Sequence, residues 1–146
     1  MISFVIHGEP VAKQRPRFNR FSNRAYTPDK TIVYENLVKM EFLNQVKNVA
    51  PYEKDTPLSV KIDAYFSIPK SVSMKKHNLM LAGDIRHTKK PDTDNLCKSI
   101  LDGLRGVAFV DDCSVVELTA RKWYADNPRV SVRIKIAEPP MPFDEE

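Results

Sequence analysis

Four aspartates are the residues of this chain with the clearest chemical potential. Asp92 and Asp94 stand two apart in KKPDTDN, and Asp111 and Asp112 are adjacent in AFVDDCS. Pro91 biases Lys90 toward extended backbone, and two carboxylates at i and i+2 in an extended entry to a helix project to the same side. At about 4 Å in an effective dielectric of about 20 such a pair repels by roughly 4 kcal/mol, which a divalent cation between them would offset. Aspartate also suits a helix start for capping reasons alone, an account that covers one of the two readily and both less well. For Asp111-Asp112 taken alone, a surface turn is the plain reading. Lys98 lies four residues after Asp94, on the same face of an expected helix, where it can pair with the aspartate or meet a phosphate. Oxygen donors unaccompanied by histidine or thiolate favour Mg²⁺ or Mn²⁺ over zinc. Carboxylate-held Mg²⁺ beside arginines and lysines suits phosphodiester hydrolysis, since it acidifies a water and neutralises charge on phosphoryl oxygens.

Other chemistries find no support. Glycines occur only at 8, 83, 103 and 106, so neither a phosphate-cradling loop nor a dinucleotide fingerprint can be written. His7, His77 and His87 have neither helical spacing nor a cysteine pair beside them, which argues against zinc, and none is assigned a role. No serine sits in a nucleophile elbow.

The charge is unevenly spread. The net +4 becomes +8 over residues 1–137 once the four acids of EPPMPFDEE, Glu138, Asp144, Glu145 and Glu146, are set aside. Lys13, Arg15, Arg17, Arg20 and Arg24 fall within twelve residues, KQRPRFNRFSNR, with no acid among them. Arginine forks match phosphate oxygens, and the interleaved Phe18 and Phe21 could stack on bases or wedge between them. The other reading, a flexible basic loop whose phenylalanines return to the core, is equally open on this stretch.

The surrounding elements must position these groups. At 146 residues, with 42% hydrophobic and 29% charged side chains, the chain can form one core without a disulfide or structural metal. Strands are expected over residues 1–7, 58–68, 115–124 and 129–136, the last two joined as an antiparallel hairpin through Ala125–Pro128. Thr27 as N-cap and Pro28 in the first turn predict a helix from Pro28 to about Asn48. Its apolar residues do not fall on one stripe; either a subunit interface or a misplaced helix boundary would account for that. A short helix belongs within 69–84, and another from about Thr93 to Arg105, closed by Gly106. Val107–Val110 reads as a short strand mounting Asp111-Asp112. The expected fold is therefore α+β, one domain over 1–137 with a small mixed sheet packed by two main helices, followed by a disordered acidic tail at 138–146. No apolar run reaches the roughly 20 residues that span a bilayer, and the N-terminus lacks the marks of a signal peptide. A cytoplasmic protein with no membrane partner is expected, and Cys97 and Cys113 are read as unpaired thiols.

The strings D-T-D-N-L-C-K-S-I-L-D-G-L, from Asp92 to Leu104, and F-V-D-D-C-S-V-V, from Phe109 to Val116, closely resemble the RusA family of Holliday junction resolvases. That family of small phage- and prophage-associated endonucleases carries Asp-x-Asp-Asn-x-x-Lys followed by a hydrophobic run ending in Asp-Asp. The resemblance implies a Mg²⁺-dependent homodimer of DNA recombination and repair that nicks opposing strands of a four-way junction, a two-fold enzyme on a two-fold substrate. By position it implies metal-binding roles for Asp92, Asp94 and Asp112, with Asp111 beside them, and a catalytic role for Lys98. Lys13, Arg15, Arg17, Arg20, Arg24, Lys89 and Lys90 would contact DNA. Two competing readings are a noncatalytic DNA-binding module whose aspartates are structural, and a nucleotide-sugar transferase using Asp92-Thr93-Asp94. The second leaves the arginine cluster unexplained.

Overall fold

Strand β4 (Leu58–Ser67) organises the fold, because its alternation is unbroken: Leu58, Val60, Ile62, Ala64 and Phe66 all point to one side and all are buried. A computed structural model describes residues 1–26 and 28–139. In it a four-stranded sheet runs β1–β6–β4–β5, where β1 is Ile2–His7, β5 is Val115–Ala125 and β6 is Arg129–Ile136. The inner face collects Phe4, Ile6, Val130, Val132 and Ile134 beside the β4 residues. Helices α1 (Asp29–Gln45) and α3 (Thr93–Leu104) pack against each other, α1 also meeting β1 and α3 meeting β5. Helix α2 (Met74–Ala82) lies by β5, and a two-stranded hairpin, β2 (Arg17–Asn19) with β3 (Arg24–Tyr26), stands apart from the main sheet. This is the expected α+β domain.

The expected β5–β6 hairpin is not formed. The two strands flank β4, β5 parallel to it and β6 antiparallel, so the connection Asp126–Pro128 passes the end of β4. Burial explains the choice. Direct pairing of β5 with β6 would leave β4, the most buried strand, at an edge, whereas β5 is largely exposed and tolerates that place. Nor is Val107–Val110 a strand: it forms turns, with Phe109 bridged singly to Tyr52 and Arg105. Buried Ala108 and Phe109 anchor this turn, and Tyr52 N–H donates to the Ala108 carbonyl at 2.9 Å.

Helix α1 begins at Asp29 with Pro28 as its N-cap and ends at Gln45, three residues before the expected stop. Thr27, expected as the cap, lies outside the described residues, as do residues 140–146 of the acidic tail. Thr31, Tyr34, Val38 and Phe42 form a single buried stripe. Val33, Met40 and Leu43 remain 66%, 60% and 54% exposed, and with the boundaries nearly as expected, a misplaced helix does not account for them. The helices meet at close range at Gly103, where an added Cβ would stand 2.7 Å from Cβ of Val38. Only glycine lets α3 lie this near α1.

On the outer face, Asp63 accepts from Arg121 Nε at 2.7 Å, from Arg121 Nη2 at 3.0 Å and from Trp123 Nε1 at 2.9 Å. Burial opposes its ionisation, but the hydrogen bonds from Arg121 and Trp123 and the Arg121 and Arg133 charges outweigh it, so its carboxyl lies below the ordinary range. A depressed folded-state pKa contributes stability above the unfolded value and loses it as pH falls through the folded one. Asp63→Asn is therefore expected to flatten the acid limb of a plot of thermal midpoint against pH. Equal acid slopes for the two proteins would contradict this.

Candidate active site

Asp92 is the N-cap of α3 and Asp94 lies in its first turn. Both are exposed, and the Asp92 side chain makes no capping hydrogen bond. The capping account thus fails for Asp92. Among the described residues neither carboxylate has an ion-pair partner within 4.0 Å, although the helix N-terminus favours negative charge there.

The segment entering α3 is held from the sheet. Lys122 Nζ donates to the carbonyls of Lys89 at 2.6 Å and Pro91 at 2.8 Å, while Arg86 Nε donates to the Lys122 carbonyl at 2.8 Å. Arg86 lies over the Trp123 ring, 3.4 Å from its centroid, and His87 stacks on Phe66 at 3.8 Å. Residues 86–91 thereby grip β5 from both faces. Burial lowers the pKa of Lys122, partly countered by the charge of Asp92; burial and the Lys122 charge lower that of His87. Sequence reasoning missed Lys122, yet a signal was present: it falls in phase with Leu118, Ala120 and Tyr124 on the inner face of β5.

Two hollows flank the start of α3. One, about 690 Å³, is bordered by Arg15, Arg17, Lys30, Lys90, Asp92 and Asn95 among others. The second, about 500 Å³, lies between α3 and β5 and is bordered by Asp94, Cys97, Lys98, Leu101, Leu118 and Ala120. Asp94 and Lys98 share this hollow without forming an ion pair. Burial, with the Asp94 charge, pushes the Cys97 thiol up to about 11, so it is protonated and inert; Cys97 and Cys113 are both free thiols. Lys30 is the cation in the first hollow that sequence reasoning did not single out.

The expected cations differ in how far they are engaged within the fold. Lys13 Nζ is held by Glu35 at 2.7 Å and Asp102 at 3.1 Å, with its side chain only 19% exposed. Burial would lower its pKa, and the two carboxylates more than reverse that. Its backbone N–H donates to the Asn95 carbonyl, and Ser99 Oγ donates to the Val11 carbonyl, so the chain before Arg15 is laced along α3. Through these pairs Lys13 joins the N-terminal segment, α1 and α3, and the residue also borders the first hollow. Arg15, Arg17, Arg20, Arg24, Lys89 and Lys90 are on or near the surface, and Phe18 and Phe21 are exposed, which discards the alternative of phenylalanines tucked into the core.

Asp111 and Asp112 sit on the turn before β5. Asp111 accepts from the Cys113 N–H, and Asp112 pairs with Arg105 Nη2 at 3.1 Å. A hydrogen bond with Asp112, then that from Cys113, holds the Asp111 carboxyl below the usual range, while Asp112 raises Arg105 further. The structure does not bring Asp92, Asp94 and Asp112 into one cluster: among the described residues no three His, Cys, Asp or Glu side chains are grouped to hold an ion. What the site offers a cation is a pair of unengaged carboxylates, one bordering each hollow. That number suits Mg²⁺, which commonly takes one or two protein carboxylates and fills its shell with water and phosphate oxygens.

A small α+β domain that presents free acids at a helix start, with cations in the hollows on either side, has the make-up of a nuclease. The chain belongs to the RusA endodeoxyribonuclease family, whose sequence pattern matches residues 7–135. It is also 34% identical over 142 residues to "Uncharacterized protein YqaN" of Bacillus subtilis (strain 168), covering 92% of this chain and 95% of that protein. Family membership leaves no support for the nucleotide-sugar reading. Among the described residues no helix is long and apolar enough to cross a membrane.

Proposed function

We propose that the protein is a structure-selective DNA endonuclease that resolves four-way junctions by paired nicks, using Mg²⁺ or Mn²⁺. The observation that carries this reading is the pair of exposed, unpartnered carboxylates, Asp92 and Asp94, set between a basic hollow and Lys98 at the start of α3. Asp92 and Asp94 would hold the cation, which when bound supplies an acidified water and charge neutralisation at the phosphoryl group. Lys98, uncommitted across the same hollow as Asp94, donates to a phosphate oxygen or orients the attacking water. Arg15, Arg17, Lys90 and Lys30 hold the flanking backbone in the first hollow, with Arg20, Arg24 and Lys89 extending the basic surface. Asp111 and Asp112 belong to the same family motif; for Asp112 to join the ligand set, its pair with Arg105 must open. A homodimer would supply two such sites, and the unpaired apolar stripe of α1, Val33, Met40 and Leu43, supports a subunit contact there.

The deciding experiment compares nicking of a synthetic four-way junction and a linear duplex, each with Mg²⁺ and with EDTA. Junction-selective nicking that EDTA stops is the expected result. Binding without cleavage across Mg²⁺ and Mn²⁺ would favour the noncatalytic module.

The Lys122 clamp gives a second test of the same site. Lys122→Met removes both hydrogen bonds that fix the entry to Asp92, and small displacements of reacting groups are costly. The nicking rate is expected to fall about tenfold or more, with a higher Mg²⁺ requirement, unchanged DNA affinity and partial recovery in Lys122→Arg. An unaltered Mg²⁺ requirement would confine Lys122 to folding.

A further inference from the structure

The β2–β3 hairpin has no role in the core, yet it is an ordered structure. Arg17 pairs with Tyr26, Phe18 with Ala25 and Asn19 with Arg24. Its turn is tied by Asn19, whose Oδ1 accepts from the N–H groups of Phe21 at 2.9 Å and Ser22 at 3.3 Å, while the Asn23 N–H returns to the Asn19 carbonyl at 2.9 Å. Asn23 takes the left-handed conformation at φ 56°, which asparagine accepts more readily than most residues. The product of this turn chemistry is a platform for Phe21, whose side chain is fully exposed at the tip, with Phe18 60% exposed behind it. Arg17, Arg20 and Arg24 are carried on the same hairpin, all exposed, and no acid lies between Lys13 and Arg24.

A bare aromatic on a hydrogen-bonded basic ribbon matches a specific occupant. Phosphates satisfy the arginines, and the ring gains only where a base face is open to it. In linear duplex every base face is stacked, and a wedge must first separate a step at a cost of a few kcal/mol. At a branch point stacking is already interrupted. We propose that Phe21 inserts against unstacked bases at the branch point, with Arg17, Arg20 and Arg24 gripping adjacent phosphates, so that the hairpin is the element that distinguishes branched from linear DNA. This rests on the junction reading above and adds to it the part of the chain that senses the branch.

The test uses the full chain in EDTA, a four-way junction carrying 2-aminopurine at the exchange point, and a linear duplex of the same sequence. Wild-type protein should brighten the 2-aminopurine. Phe21→Ala should abolish that signal and weaken junction binding about tenfold, equivalent to about 1.4 kcal/mol for one lost stacking contact. Its duplex affinity should stay unchanged, and Phe21→Trp should retain both junction properties. Because Phe21 touches no core residue, the thermal midpoint should be unaltered. Phe21→Ala that binds and brightens like wild type, on a junction wild type prefers, overturns the wedge alone. Wild type with no preference for the junction overturns the junction reading and the wedge together. A change in the mass of the DNA-free assembly on Phe21→Ala assigns the ring to a subunit contact and also overturns the wedge.

Discussion

Asp94→Asn is expected to lower the rate of junction nicking by about 10²–10³-fold, the range found when one preorganised electrostatic stabiliser is removed, while junction affinity stays equal or rises. The asparagine keeps the size of the side chain and deletes only its charge. If the carboxylate holds a cation, its loss strips the site of half its free anionic donors. If Asp94 serves only the helix, its charge at the α3 N-terminus contributes about 0.3–1 kcal/mol to stability, and nicking would be untouched. Affinity moves the other way because a negative charge beside bound phosphate is removed. Single-turnover nicking with a parallel gel-shift measurement reads both quantities. Parallel loss of binding and nicking would point to a collapsed helix start and against a cation ligand.

The second large effect concerns stability. Phe42 is 1% exposed on the buried stripe of α1 and meets Phe4 of β1 edge-to-face, with centroids 5.3 Å apart. Phe42→Ala removes the ring and leaves a cavity between helix and sheet, which costs about 3–5 kcal/mol. A drop of this size is a large part of a typical domain's stability and corresponds to a thermal midpoint lower by about 10 °C or more. The contrast is Met40, two residues earlier on the same helix and 60% exposed. Met40→Ala should leave the folded protomer within about 0.5 kcal/mol at concentrations where it is a monomer. Calorimetry on both variants checks the pair; a Phe42→Ala midpoint close to wild type would show that the α1 stripe is misassigned.

Phe42 and Met40 also mark where the sequence stops being informative. Both are large and apolar on one helix, and nothing in their spacing distinguishes the residue that meets Phe4 from the one that meets solvent. Strand β4 was legible because its period-two alternation is unbroken, and α3 because Leu96, Ile100 and Leu104 repeat on one face before Gly106. The partner of β5 was not legible. A four-residue connection containing asparagine and proline reads as a hairpin, but pairing is settled by which strand most needs two neighbours, a property of the whole sheet. The same limit applies to charge. Lys13 reads as one more cation in a basic run until Glu35 and Asp102, distant in sequence, are seen to enclose it.

For this protein, the sequence by itself determined the family motif, the α+β content, the cluster of arginines and the identity of the acids, because each depends on residue type and short-range spacing. The tertiary structure alone decided that Asp92 and Asp94 are free while Asp112 is held by Arg105, that Lys122 of β5 fixes the entry to α3, and that Phe21 stands bare on an ordered turn. Those outcomes depend on which side chains meet across tens of residues, and that is set by burial and hydrogen-bond satisfaction over the entire fold.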